Sequence, residues 1–239
     1  YKDRTEYQSE AGYLAVSSLE RVIEALSDAG ELPPNSFASD LDAIEATRAQ
    51  PEKTEELRRV TPQPIPPILL TWIGNADRFV ELGLTRKDDP DVSAKFAYRA
   101  AAIFYRFNNF DEARKRLADI VENRSESPVA ANAADMLINS FTIENDWPNI
   151  QKWAAIMEKK KIGRPEKQAA LRKKIRAYQL GAQFKTAEQL LEQEKYIEAA
   201  EEFERLAAQP DVKFADKALY NAAMAYIKEK HYDRASKAF

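Results

Sequence analysis

FAYRAAAIFYRFNNFDEARKRLADI (96–120), NAADMLINSFTIENDWPNIQKWAAIM (132–157), GAQFKTAEQLLEQEKYIEAAEEFERL (181–206) and ALYNAAMAYIKEKHYDRASKAF (218–239) are four renderings of one pattern. In each, a helix with small residues along one stripe runs into a three- or four-residue polar turn. An aromatic follows, then a second helix with a small or aliphatic residue three positions later. The recurring pairs are Phe110/Ala113, Trp147/Ile150, Tyr196/Ala199 and Tyr232/Ala235. A repeated helical hairpin cannot bury its apolar stripe alone and must stack on a neighbour. Its product is therefore an extended surface rather than one pocket.

Working outward, the chain has 239 residues, 44% of them hydrophobic, which suffices for a continuous core. Charged residues make up 31% but nearly cancel, leaving a net charge of −3, so no global field favours nucleic acid or an anionic membrane. Cysteine is absent, which excludes disulfides, thiolate metal sites and cysteine nucleophiles. The longest apolar run, residues 64–73, is too short and proline-rich to span a bilayer. Because the chain opens on Tyr1 and closes on Phe239 inside a helical pattern, it reads as a piece of a longer polypeptide.

Apolar residues at three- and four-residue spacing predict a helix from Thr5 to Asp28, ended by Gly30, and a second from Ile68 to Leu82. Between them lies a proline-rich insertion, 31–67, with short helical candidates at 40–48 and 52–60. Domain division is therefore expected at 1–83, a divergent helical pair, and 84–239, the repeats. Capping signals at Asp89-Pro90, Ser127-Pro128 and Asp146-Trp147-Pro148 predict helix starts with proline in the first turn. The expected pairs are 91–107 with 110–122, 128–144 with 147–160, 165–193 with 196–208, and 213–229 with 232 onward. No alternating strand pattern appears, so the class is all-α.

Laid over these residues, the pattern resembles the tetratricopeptide repeat. Ala187, Leu190, Tyr196, Ala199, Phe203 and Leu206 carry the likeness in one unit, and Ala222, Ala223, Tyr226, Tyr232, Ala235 and Phe239 in the next. The same frame picks out Ala100, Ala101, Phe104, Phe110, Ala113, Leu117 and Ile120, and less closely Leu137, Ile138, Phe141, Trp147, Ile150, Ala154 and Met157. The spacing departs from the family's 34 residues: 37 from Phe110 to Trp147, 49 from Trp147 to Tyr196 and 36 from Tyr196 to Tyr232. An extra length of about three helical turns after Pro165 accounts for the longest interval. The resemblance covers about 90–239 and implies a right-handed α-α superhelix whose concave face captures a protein or peptide. Irregular repeats of this kind are similar to those of bacterial cell-envelope and motility proteins, which implies a periplasmic or envelope scaffold. The second reading is a regulatory module of a larger cytoplasmic signalling or transcriptional protein.

In that family the first helix of each pair lines the concave face. Carried over, this gives Lys95, Tyr98, Arg99, Ala102, Tyr105 and Arg106, then Asn132, Asp135, Asn139 and Thr142. The third unit supplies Phe184, Lys185, Glu188 and Glu192, and the fourth Lys217, Tyr220, Asn221, Met224 and Lys228. The residues expected to touch a partner are Tyr98, Arg99, Tyr105, Arg106, Asn132, Asp135, Asn139, Tyr220, Asn221 and Lys228. Their amides, guanidinium groups and rings suit a peptide's backbone and carboxylates. Self-association is a further partner class.

A basic run from Lys159 to Arg176 lacks interleaved aromatics and faces a compensating acidic run, Glu188 to Glu204, so nucleic acid is not expected as a partner. The single histidine, His231, reads as a turn residue, and no catalytic constellation, metal-ligand set or cofactor motif is present. The segment TPQPIPPILLTW (61–72) reads either as a docking strap, or a flap over the chain's own groove, or as packing across the first helix pair.

Overall fold

Periodic apolar stripes and dense helix formers give ten helices and no strand among the described residues, 4–37 and 61–238 of this computed structural model. They are α1 (Arg4–Asp28), α2 (Pro67–Glu81), α3 (Val92–Arg106), α4 (Phe110–Asn123) and α5 (Ala130–Ile143). After these come α6 (Trp147–Glu158), α7 (Pro165–Glu192), α8 (Tyr196–Ala207), α9 (Ala215–Lys228) and α10 (Tyr232–Ala238). Successive helices pack as neighbours: α1 on α2, α2 on α3, α3 on α4, α8 on α9 and α9 on α10. The short helices expected at 40–48 and 52–60 lie outside the described residues.

The four hairpin turns are built the same way. Two residues before each aromatic the backbone is left-handed, at Asn108, Asn145, Glu194 and Lys230, with φ of 59°, 57°, 60° and 62°. In every case that residue's N–H donates to the carbonyl three back, and the next N–H to the carbonyl five back. The second acceptors are Phe104, Phe141, Leu190 and Tyr226, at 2.8–2.9 Å. This double bond satisfies carbonyls that a helix end would otherwise leave open. α1 and α2 end likewise, on Leu26 and Phe79, with Gly30 and Gly83 in the left-handed position. The residue three beyond each turn's aromatic is buried in all four hairpins: Ala113, Ile150, Ala199 and Ala235. The aromatics are not uniform, since Phe110 is buried, Trp147 and Tyr196 are half-buried, and Tyr232 is exposed.

Two of the expected helix starts move. Val92 N–H bonds Asp89 O and Ala130 N–H bonds Ser127 O, so Pro90 and Pro128 sit in a single tight turn ahead of each helix. At Asp146 the cap forms as expected, its carboxylate accepting from Asn149 N–H at 3.2 Å with Pro148 in the first turn. α7 runs 28 residues against 14 or 15 for α3, α5 and α9, the extension that the long repeat interval requires.

The chain divides into two compact units, residues 1–140 with 160–168, and residues 141–159 with 169–239. In the first, Val16 and Ile23 of α1, Leu69, Trp72, Ile73, Ala76 and Phe79 of α2, and Phe96, Ala100 and Ile103 of α3 share one core. Phe96 is its hub, edge-on to Trp72 at 6.1 Å and to Phe79 at 5.3 Å, and stacked with Tyr13 at 6.0 Å. In the second, Phe184 and Ala187 of α7, Ala199, Phe203 and Leu206 of α8, Ala218, Ala222, Ala223 and Tyr226 of α9, and Ala235 of α10 form the core. Alanines let helix axes approach, and Phe203, edge-on to Phe184 at 5.2 Å, fills the remaining space. Burying a phenylalanine of this kind contributes about 2–3 kcal/mol.

Candidate protein-binding surface

In the first unit most of the residues expected on an open face are already engaged. α3 is buried on more than one side, with nine of its fifteen residues enclosed, and Tyr98 is among them. Tyr98 therefore corrects the expectation: it is a core residue with no surface to offer. Arg99 donates to Glu20 of α1 at 2.7 Å, with both side chains more than four-fifths buried. Burial pushes the Glu20 carboxyl above its usual range, and the guanidinium offsets this only in part. Arg106 donates to the Pro34 carbonyl at 2.9 Å, and burial lowers its pKa. Asn139 donates to the Tyr105 hydroxyl at 2.7 Å, so those two are brought together, while Asn132 and Asp135 are half-buried on α5. Lys95 is held by Asp89 at 2.7 Å.

The described part of the proline-rich segment packs within the same unit. Gln63 N–H bonds Phe107 O at 2.8 Å, the Asn109 side chain donates to Gln63 O at 3.0 Å, and Ile65 joins the core. Phe37 stands edge-on to Trp72 at 5.2 Å. These contacts hold the stretch around Gln63 and Ile65 against the α3–α4 turn and the core of the first unit.

In the second unit, α9 presents an open face. Its buried arc is Ala218, Ala222, Ala223, Ala225 and Tyr226. On the opposite arc Tyr220, Met224 and Ile227, spaced i, i+4 and i+7, are 54%, 40% and 38% exposed. Asn221 is half-buried beside them and Lys228 is exposed. At one end the Lys217 ammonium lies 4.7 Å over the Phe184 ring and 4.0 Å from Glu188. An aromatic, a thioether and a branched aliphatic in a row, flanked by an amide and two ammonium groups, can seat an apolar side chain and pair with a carboxylate beside it.

Of the ten residues singled out from the sequence, the structure thus joins Tyr220, Asn221 and Lys228 on one open face. Ile227 belongs with them and was missed, although its spacing from Tyr220 and Met224 is readable in the sequence. His231 is a turn residue: its N–H bonds Tyr226 O, and its carbonyl accepts from Ala235. Lys160 and Arg176 of the basic run are tied to the Glu122 carbonyl and to Gln179 and Gln209. Among the described residues no group of three or more histidine, aspartate or glutamate side chains is placed to hold a metal ion, and no helix is long and apolar enough to cross a membrane. No family model, curated protein or solved structure matches the chain.

Proposed function

We propose that this chain is a non-enzymatic scaffold of the tetratricopeptide-repeat kind, which binds a partner protein or peptide on the open face of α9. The observation that carries this reading is the exposed Tyr220–Met224–Ile227 stripe beside Lys217, Asn221 and Lys228. Three large apolar side chains left open on successive turns of one helix, beside an amide and two ammonium groups, fit a contact surface better than an ordinary solvated face. The identical turns of the four hairpins support the repeat assignment, and its right-handed superhelix and concave groove come from that resemblance. A bacterial envelope or motility assembly is the setting proposed, on resemblance alone.

The test is affinity capture from the source cells with the wild-type chain and with Tyr220→Ala/Met224→Ala/Ile227→Ala. None of the three is in the core, so circular dichroism should match the wild type, with at most a modest fall in melting temperature from the partly buried Met224 and Ile227. A partner retained by the wild type and lost from the triple variant is the expected result. Equal recovery by both would move the interface off α9.

A further inference from the structure

Sulfur enters this sequence only as methionine, with three such residues and no cysteine. The fold treats the three unequally. Met136 on α5 and Met157 on α6 are each 1% exposed, whereas Met224 on α9 is 40% exposed. A peroxide oxidises a thioether at the sulfur lone pair, so reaction follows access to that atom. Solvent reaches Met224 while the chain is folded, but reaches the other two only when their helices open. No thiol in the sequence competes for the oxidant.

Met224 is also the middle member of the open stripe of α9, one turn after Tyr220 and one turn before Ile227. Its neighbours Ala222, Ala223 and Ala225 fall on the buried arc, so position 224 serves the surface and not the core. As a thioether the side chain is apolar, unbranched and adaptable, which suits a contact surface. As a sulfoxide it carries a strong dipole and a hydrogen-bond acceptor at the centre of that stripe. On the open arc the added oxygen is met by water, so the surface changes and the fold does not. At Met136 or Met157 the same oxygen would be buried without a partner and would disrupt packing.

We infer that Met224 is a redox modification site, at which oxidation by a peroxide closes the α9 face to its partner and reduction by a dithiol reopens it. The effect on binding rests on the reading of α9 as a contact surface, while the selectivity of the reaction does not. In the forward step the sulfur lone pair attacks one peroxide oxygen. An S–O bond forms as the O–O bond breaks, the sulfur gives up two electrons, and the departing hydroxide takes the proton of the transferred oxygen and leaves as water. In the reverse step a dithiol supplies two electrons and two protons, the oxygen leaves as water, and the dithiol becomes a disulfide.

The test uses the full chain, hydrogen peroxide, and phenyl-agarose as the probe of apolar surface. Peptide mass mapping should find the mass of one added oxygen at Met224 at least about tenfold sooner than at Met136 or Met157, with circular dichroism unchanged. The oxidised wild type should elute earlier from phenyl-agarose than the untreated chain. Methionine sulfoxide reductase with dithiothreitol should restore its elution. Met224→Leu should elute at one position before and after peroxide. The affinity capture proposed for the α9 face is then repeated with the oxidised, desalted chain. Recovery of the partner retained by untreated wild type should fall at least about tenfold and return after reduction.

The inference is overturned if Met136 or Met157 is oxidised as fast as Met224, or if Met224→Leu responds to peroxide as the wild type does. It is also overturned if oxidation at Met224 leaves elution or capture unchanged. Equal capture by untreated wild type and by Tyr220→Ala/Met224→Ala/Ile227→Ala moves the interface off α9 and removes the switch with it. Loss from that triple variant together with full capture by the oxidised wild type leaves α9 as the interface and overturns the switch alone.

Discussion

The hydroxyl of Tyr226 on α9 donates a 2.8 Å hydrogen bond to Oε2 of Glu204 on α8. Arg234 of α10 lies 4.4 Å over the same ring, with its guanidinium nitrogens 3.1 Å from Glu201 and 3.7 Å from Glu204. One phenol thus joins three consecutive helices. Tyr226→Phe keeps the ring, its packing and the cation above it but removes the donor. Glu204 is half-exposed and can take up water. The expected cost is about 1 kcal/mol, seen as a lower denaturation midpoint with unchanged circular dichroism.

The same pair sets an alkaline limit. Burial first, and the bond to Glu204 second, push the Tyr226 pKa up to about 12 from the usual 10. The folded state therefore holds the phenol proton more tightly than the unfolded chain does. This contribution is complete below pH 10 and is lost as pH rises through about 12. Denaturant unfolding should show the stability gap between wild type and Tyr226→Phe constant below the lower value and narrowing above it. A constant gap throughout would mean that the phenol is not held as drawn.

Glu20 and Arg99 make the opposite kind of test, because burial is the larger influence on the carboxyl and raises its pKa despite the cation. The ionised carboxylate thus carries a net penalty in the fold at neutral pH, which eases as the pH falls toward the raised pKa. Glu20→Gln removes the charge and keeps an acceptor for the guanidinium. Arg99→Met leaves the carboxylate without its cation. Arg99→Met should therefore destabilise by about 2–3 kcal/mol and Glu20→Gln by less, with the Arg99→Met deficit shrinking on acidification as Glu20 takes up its proton. Equal losses would show that the pair is more solvated than its burial indicates.

The hairpin turns separate what was legible in the sequence from what was not. Phe110/Ala113 and its three counterparts mark the start of each second helix because an apolar residue three places into a helix returns to the same face. The left-handed residue two places earlier is Asn108, Asn145, Glu194 or Lys230 and carries no shared side-chain signal, since the bonds that fix it are backbone bonds. Glu194 and Lys230 pay a steric penalty there that glycine would not. Glu194→Gly and Lys230→Gly should each stabilise by about 0.5–1 kcal/mol, and Asn108→Gly by less, since asparagine tolerates that region. Calorimetric melting of the three variants checks the order.

The binding face was less readable than the fold for a related reason. Helical spacing puts Tyr98, Arg99, Tyr105 and Arg106 on one side of α3, but it says nothing of Glu20, 79 residues earlier, or the Pro34 carbonyl, 72 residues before Arg106, which occupy that side. On α9 Tyr220, Met224 and Ile227 stay exposed, and there the face that the repeat frame gives through Tyr220 and Lys228 remains open. A local pattern identifies a surface only where no distant segment returns to cover it.

Gly163 offers a test that separates sterics from backbone strain. Its φ is +75°, its N–H donates to Ser125 O at 2.7 Å, and a Cβ added there would stand 2.9 Å from the Ala131 Cβ of α5. Gly163→Ala must therefore adopt a left-handed backbone and also displace the first turn of α5. The expected loss is about 2–3 kcal/mol, of which the backbone accounts for roughly 1. Ala131→Gly in the same chain removes the colliding methyl and leaves the φ penalty in place. Relative to Ala131→Gly alone, adding Gly163→Ala should then cost only about 1 kcal/mol, so the two substitutions are non-additive by the steric share. Strict additivity in urea titrations would show that α5 does not approach Gly163 this closely.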